Sequence, residues 1–288
     1  MIPQDSWPDH ITGLVALINH ALQEDMGDGD HTSLATVPAS RLGQARLLVK
    51  EDGILAGMEA AREVFRQVDP ELRVEKKCDD GATIRKGDIA FTIHGPVRSI
   101  LGAERLALNI LQRMSGIATY TNFLLGLIQG TRAKLLDTRK TTPGFRILEK
   151  EAVRIGGGMN HRFGLYDMIL IKDNHVDAAG GIVPAIEAVQ AYLKRKEMSL
   201  QVEIEVRNLQ ELDLVLQHGG VNRIMLDNFA PEPLRDAVRI IGGRFETEAS
   251  GGITEATIRE VALSGVDFIS VGALTHRIHS LDLSLKLF

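Results

Sequence analysis

The spacing of apolar residues changes character along this chain and divides it in two. Over residues 12–24, Leu14, Val15, Leu17, Ile18, Ala21 and Leu22 recur at helical spacing and predict an amphipathic helix. Strand-like runs follow at 44–50, 74–77 and 88–94, with a helix expected over 57–67. The stretch Glu24 to Ser33, EDMGDGDHTS, reads as a turn in which aspartates bond local backbone; its acid spacing is not that of an EF-hand. Residues 99–130 read as helix with an apolar stripe at Leu106, Ile110, Met114 and Ile117 and an interruption expected near Ser115-Gly116. Arg105 lies on another face and, by itself, reads as a solvated surface arginine.

From residue 134 the pattern alternates. Short apolar runs at 134–136, 168–171, 202–206, 223–226, 245–249 and 268–271 predict strands, and helices are expected over 183–194, 208–217, 233–241 and 254–263. Glu203, Met225, Thr247 and Ile269, the middles of the last four strands, are 22 residues apart. Steady alternation of this kind predicts a parallel sheet curled into an α/β barrel, here with six strands, two short of the usual eight. The tail LDLSLKLF alternates strictly and predicts a half-buried strand returning to the N-terminal sheet. The expected organisation is an α+β N-terminal domain over 1–115, an open α/β barrel over 116–273, and a tail, 274–288, that rejoins the first domain.

The predicted strand ends carry the candidate chemistry. Asp137, Thr138, Arg139 and Lys140 follow the first strand and Lys172 and Asp173 the second; Glu205 sits late in the third. Asp227-Asn228, Ser250-Gly251-Gly252 and Val271-Gly272-Ala273 close the others. One polar strand end is an ordinary turn, but six in series point to a shared ligand site at the carboxyl ends of the strands. Arginine forks suit carboxylates, and lysines act as point charges. Glycine-rich ends let backbone amides approach a phosphate. Glu205 and Asp227 beside phosphates suggest Mg2+, and they could also hold ribose hydroxyls. The residues themselves therefore suggest a phosphate-bearing sugar, a carboxylated partner and Mg2+. His161, between Asn160 and Arg162, reads as part of the same site.

Bulk properties narrow the class. A net charge of -5 does not favour nucleic acid or an anionic membrane as partner. No apolar run reaches the length of a membrane span, and the first residues do not resemble a signal peptide. The single cysteine, Cys78, suits a reducing, cytoplasmic setting. There is no GxxxxGK[ST] loop, HExxH, CxxC or GxSxG, and Gly156-Gly157-Gly158 follows no strand and is no dinucleotide fingerprint.

DTRKTTPGFR, GGGMNHRFGLYDMILIKDNH, VEIEV, MLDNF, EASGGI and ISVGALTH together resemble quinolinate phosphoribosyltransferases, and the similarity extends to EDMGDGDHT and ERLALNILQRMSGIAT. Phe145 stands where the family pattern has leucine. The resemblance implies transfer of phosphoribose from phosphoribosyl pyrophosphate to quinolinate, with loss of CO2 and with Mg2+. It also implies a homodimer with shared active sites. It places Arg139, His161, Arg162 and Lys172 on quinolinate, together with Arg105 from the neighbouring subunit, which overturns the surface reading of Arg105. Thr138 is grouped with these substrate residues. Lys140, Glu205 and Asp227 fall on phosphoribosyl pyrophosphate and its metal, with Lys140, Lys172, Glu205 and Asp227 as the catalytic set. Ser250, Gly251, Gly252, Val271, Gly272 and Ala273 fall on the 5-phosphate. The rivals are a nicotinate phosphoribosyltransferase, which needs fewer arginines, and a non-catalytic anion binder, which has no use for the acids.

A segment that resembles the hammerhead of lipoyl and biotinyl carrier domains, residues 80–96, lacks the lysine those domains modify. It reads as structural kinship only.

Overall fold

A computed structural model describes residues 10–288. The elements in chain order are α1 (His10–Met26), α2 (His31–Thr36), β1 (Leu42–Val49), β2 (Gly53–Ile54), α3 (Met58–Val68), β3 (Arg73–Lys76), β4 (Thr83–Ile84), β5 (Ile89–Pro96) and α4 (Val97–Leu127). Then come β6 (Lys134–Leu136), α5 (Arg146–Ile155), β7 (Ile169–Ile171), α6 (Asp173–Ala179), α7 (Ile182–Lys196), β8 (Val202–Val206) and α8 (Leu209–His218). The last are β9 (Arg223–Asp227), α9 (Pro231–Ile241), β10 (Glu246–Ser250), α10 (Ile258–Leu263), β11 (Phe268–Ser270), α11 (Ala273–His276) and β12 (Leu283–Leu287). These form two compact units. One holds Phe123–Arg139 and Gly158–Gly272; the other holds residues 10–122 together with Lys140–Gly157 and Ala273–Phe288.

The second unit is α+β. Its antiparallel sheet has the order β12-β1-β5-β3, and β2 and β4 form a separate pair. The alternating tail is β12, with Leu283 opposite Val49 and Leu285 opposite Leu47. Leu283 and Leu285 are buried, whereas Asp282 and Lys286 are exposed, as period-2 patterning requires. Phe65 of α3 meets Phe91 of β5 edge-on at 5.8 Å. The acidic turn also yields a helix: the Asp30 carboxylate accepts the Ser33 amide at 3.1 Å and caps α2.

Helix α4 runs unbroken through Ser115-Gly116, contrary to the expected interruption. The small residues serve close packing instead. The Ala56 amide donates to Ser115 Oγ at 2.9 Å, and the Ile54 amide donates to Thr119 Oγ1 at 2.9 Å. A Cβ at Gly116 would lie 2.1 Å from the carbonyl oxygen of His279.

The first unit contains the six-stranded sheet, order β6-β11-β10-β9-β8-β7, in which every pairing is parallel. β6 and β7 are its edges, so it is the open, incomplete α/β barrel that the alternation predicts. Registers assign the two faces. Ile204, Ile224, Leu226, Ala249, Ile269 and Leu135 lie on one, and all are buried. Leu212, Val215, Leu234, Ala237, Ile258 and Ala262 supply the buried apolar sides of α8, α9 and α10. Leu170, Glu203, Glu205, Arg223, Met225, Asp227, Glu246, Glu248, Ser250, Phe268 and Ser270 lie on the other. Helix starts follow local chemistry: Asn208 accepts the Glu211 amide at 2.9 Å, and Pro231 opens α9. α10 begins at Ile258, because residues 254–257 form a turn held by Thr254 and Thr257.

Candidate active site

Within the parallel-sheet unit, one sheet face carries a row of polar residues at its carboxyl end. Lys172 follows β7, Glu205 is next to last in β8, Asp227 ends β9 and Ser250 ends β10. Their registers place them on adjacent strands and on one face. Lys172 Nζ lies 3.6 Å from Glu205 Oε2. Burial and the Asp227 charge push the Glu205 carboxyl above its usual range, against the pull of Lys172. Glu205 and Asp227 are the two carboxylates here that could hold a divalent cation.

The ends of β9 and β10 are tied together. The Asn228 amide donates to the Ser250 carbonyl at 2.8 Å, and the Asn228 side-chain amide donates to Asp227 Oδ2 at 2.6 Å. Gly251 has φ +90°, and a Cβ there would meet Asn228 Oδ1 at 2.2 Å. Only glycine fits that turn, which leaves the backbone open at the strand end. Val271 is buried and Gly272 half-buried directly after β11.

Asp137 organises the other side of this unit. It is fully buried and accepts the Asn160 side-chain amide at 2.5 Å and the His161 backbone amide at 2.8 Å. Met159 bridges Leu136 in parallel, so residues 158–161 run alongside β6 and bring His161 and Arg162 to the sheet. Thr138 is half-buried, and Arg139 is exposed at the same strand end. Arg162 is buried; burial and the neighbouring Arg139 charge lower its pKa, while Asp167 and Glu203 counter them. It donates to the Met168 carbonyl at 3.2 Å. Asp167, itself buried, accepts the Phe163 and Gly164 amides at 2.6 and 2.8 Å and shapes the turn that follows.

Both ring nitrogens of His161 are engaged. Nδ1 accepts the Arg162 amide at 2.7 Å, and Nε2 faces Glu203 Oε2 at 3.0 Å and Glu248 Oε2 at 3.5 Å. Burial opposes the imidazolium, while Glu248 and Glu203 favour it and raise the pKa overall. An amide hydrogen pointing at Nδ1 nevertheless leaves room for one ring proton only, on Nε2.

Arg105, Lys140 and Ala273 belong to the α+β unit. Arg105 is exposed on α4. The Lys140 carbonyl accepts the Thr275 hydroxyl at 2.8 Å. Arg113 and Glu149 anchor the same segment: Glu149, fully buried, accepts Arg113 at 2.6 and 2.8 Å and the Thr142 amide at 3.0 Å, while Arg113 reaches the Thr275 carbonyl at 2.9 Å. Sequence reading missed this pair, because nothing local marks two residues 36 positions apart as partners. It also passed over Glu203, Arg223 and Glu248 as site neighbours. Period-2 alternation could have found them, since it puts Glu203 on the face of Glu205 and Glu248 on the face of Ser250.

The sequence model for the N-terminal domain of quinolinate phosphoribosyl transferase matches residues 30–115, and that for its C-terminal domain matches 117–286. The chloroplastic nicotinate-nucleotide pyrophosphorylase [carboxylating] of Arabidopsis thaliana is 47% identical over 296 residues, 97% of this chain and 84% of its own length. The probable nicotinate-nucleotide pyrophosphorylase [carboxylating] of Bacillus subtilis is 40% identical over 272 residues, 94% of this chain and 92% of its own. The solved nicotinate-nucleotide pyrophosphorylase of Francisella tularensis superposes with TM-score 0.90 at 41% identity, covering 96% of each chain. An open α/β barrel with cations, acids and glycines on its strand ends is here that of a phosphoribosyltransferase. The chain belongs to the quinolinate phosphoribosyltransferase family, the decarboxylating pentosyl transferases of NAD synthesis.

Proposed function

We propose a division of labour among these residues for the family's reaction, in which quinolinate and phosphoribosyl pyrophosphate give nicotinate mononucleotide, pyrophosphate and CO2. Arg139, Arg162 and Lys172 hold the two carboxylates of quinolinate, with Thr138 beside Arg139 in the chain. His161, which accepts the Arg162 amide, is placed on quinolinate beside it. Glu205 and Asp227 hold the ribose and Mg2+, with Lys140 on the pyrophosphate. Ser250, Gly251 and Gly252, and Val271, Gly272 and Ala273, receive the 5-phosphate through backbone amides.

The observation that carries this reading is the register that lines up Glu205, Asp227 and Ser250 on one face, with Lys172 Nζ 3.6 Å from Glu205 Oε2. Two carboxylates at neighbouring strand ends, Glu205 and Asp227, are the local reason to expect the metal. Mg2+, when bound, would supply positive charge for the departing pyrophosphate. The arginines fix the pyridine ring so that its nitrogen faces C1 of the ribose, which is mainly a task of orienting two anions that repel each other. Once N-ribosylated, the ring cation stabilises the carbanion left when the 2-carboxylate departs.

Two subunits are expected to pair, Arg105 of each serving the site of the other, and the chain is expected in the cytoplasm. Among the described residues no helix is long and apolar enough to cross a membrane. Asp227→Asn tests the division of labour. It should impair use of phosphoribosyl pyrophosphate and shift Mg2+ dependence, while calorimetry with quinolinate alone gives wild-type binding. Lost quinolinate affinity in a folded variant with normal Mg2+ dependence would contradict the assignment.

A further inference from the structure

The α+β unit sets an ion pair against a loop. Glu149 of α5 and Thr275 of α11 are both fully shielded from solvent, and Arg113 reaches them from α4. Arg113 Nε lies 2.8 Å from Glu149 Oε1. Its Nη2 lies 2.6 Å from the same oxygen, 2.9 Å from the Thr275 carbonyl and 3.0 Å from Thr142 Oγ1. The other carboxylate oxygen, Glu149 Oε2, accepts the Thr142 amide at 3.0 Å. The Thr275 hydroxyl donates to the Lys140 carbonyl at 2.8 Å. Three helices and one loop thus meet at one guanidinium.

These bonds fall on the two peptide groups that flank Thr141. One is held through the Lys140 carbonyl and the other through the Thr142 amide. The loop then runs into α5, with the Phe145 amide on the Thr142 carbonyl at 3.0 Å and the Glu149 amide on the Phe145 carbonyl at 3.1 Å. A buried ion pair is a poor staple between helices, since well-packed apolar residues do the same without desolvating two charges. A staple also has no need of bonds to a loop. Here one carboxylate oxygen ends on the Thr142 amide, and the guanidinium ends on Thr142 and on the residue that holds Lys140. What such a network fixes is a direction. With the peptide after Lys140 held, its side chain leaves the backbone along a set line, while the residue itself stays exposed.

We infer that Arg113 and Glu149 are a positioning pair for phosphoribosyl pyrophosphate: through Thr275 and Thr142 they set where Lys140 stands relative to the start of α11. The inference rests on Lys140 taking the pyrophosphate and on Ala273, the first residue of α11, taking the 5-phosphate. Those two groups are opposite ends of one substrate, joined through a ribose of fixed size. Thr275 lies two residues after Ala273 and bonds the Lys140 carbonyl, so one contact ties the two phosphate-binding points together. Their spacing suits a ligand with two phosphate ends that far apart. Quinolinate has neither end and is indifferent to it. Neither Arg113 nor Glu149 needs to touch substrate to have this effect.

Three variants of the whole enzyme test this. Thr275→Val deletes the donor to Lys140 and keeps the shape, Glu149→Gln breaks the pair, and Thr275→Ser keeps the donor. With quinolinate saturating, the first two should lower kcat/KM for phosphoribosyl pyrophosphate roughly ten- to a hundredfold, the effect of a misplaced group. Thr275→Ser should stay near wild type, and calorimetry should give wild-type quinolinate binding in all three. The two Thr275 variants decide alone if Glu149→Gln does not fold. A double-mutant cycle shows whether the loss passes through the lysine: on a Lys140→Ala background, Thr275→Val should add nothing further. The same fractional loss with and without Lys140 overturns the inference, because a general weakening of the fold would act in both. Unchanged kcat/KM in Thr275→Val and Glu149→Gln, beside a clear loss in Lys140→Ala, overturns it while the reading of Lys140 stands. If Lys140→Ala itself leaves phosphoribosyl pyrophosphate use unchanged, the reading of Lys140 falls and the inference falls with it.

Discussion

Arg139 and Arg162 differ in setting although both are assigned to quinolinate. Arg139 is exposed at a strand end, whereas Arg162 is buried with only part of its fork spent on the Met168 carbonyl. Changing either to Ala should lower kcat/KM for quinolinate by roughly 2–5 kcal/mol, the range for truncating one member of a buried charge pair. An unchanged kcat/KM would remove the residue from the site. Glu248 gives a second expectation at this scale, one of stability. Its carboxyl holds a proton up to about 7 in the fold but only up to the ordinary 4.5 when unfolded. Between those values the folded state binds a proton that the unfolded state has lost, so this group makes stability fall as pH rises through the window. Urea midpoints measured across that range should show a shallower fall for Glu248→Gln than for wild type. The residues that face solvent or ligand at strand ends were legible in the sequence, because charge at a strand end has few bland explanations. Glu203 and Glu248 were not, because a glutamate inside an apolar strand is only understood once its cross-strand partners are known.

Among the elements, the six strands of the open barrel were all legible, since parallel strands buried on one face by helices give short apolar runs at regular intervals. The expected 202–206 and 134–136 are β8 and β6 as found. Four helices were not seen: α2, α5, α6 and α11. α5 lies inside the cationic stretch, where Arg146, Lys150 and Arg154 drew attention away from Ile147, Leu148, Ala152 and Val153, all buried on one side. α6 is a seven-residue helix opened by the His175 side chain, which accepts the Lys172 amide at 2.9 Å, and is too short to show a period. The misread break at Gly116 gives the test at this scale. Because a Cβ there would overlap the His279 carbonyl, Gly116→Ala should cost about 1–3 kcal/mol of stability despite alanine's better helix propensity. Chemical denaturation would measure it. A stabilised variant would mean that residues 279–281 move aside freely.

For the whole molecule, the open sheet leaves β6 and β7 as edges, and Arg105 is exposed on α4 rather than packed in its own core. A second subunit that brings Arg105 to the barrel would add a cation for one carboxylate and help exclude water from the reacting anions. The arrangement has a quantitative consequence. Arg105→Ala and Arg139→Ala homodimers should each be nearly inactive, since every site in either lacks one arginine. When subunits are exchanged between them, a mixed dimer has one site with both arginines and one with neither. Random exchange makes half the dimers mixed, so activity should return to roughly a quarter of wild type. Size-exclusion chromatography with differently tagged subunits would verify the exchange, and the quinolinate assay would read the recovery. Mixtures with verified exchange that stay as inactive as their parents would assign Arg105 to its own subunit or to no site, and recovery without mixed dimers would point to a contaminating activity.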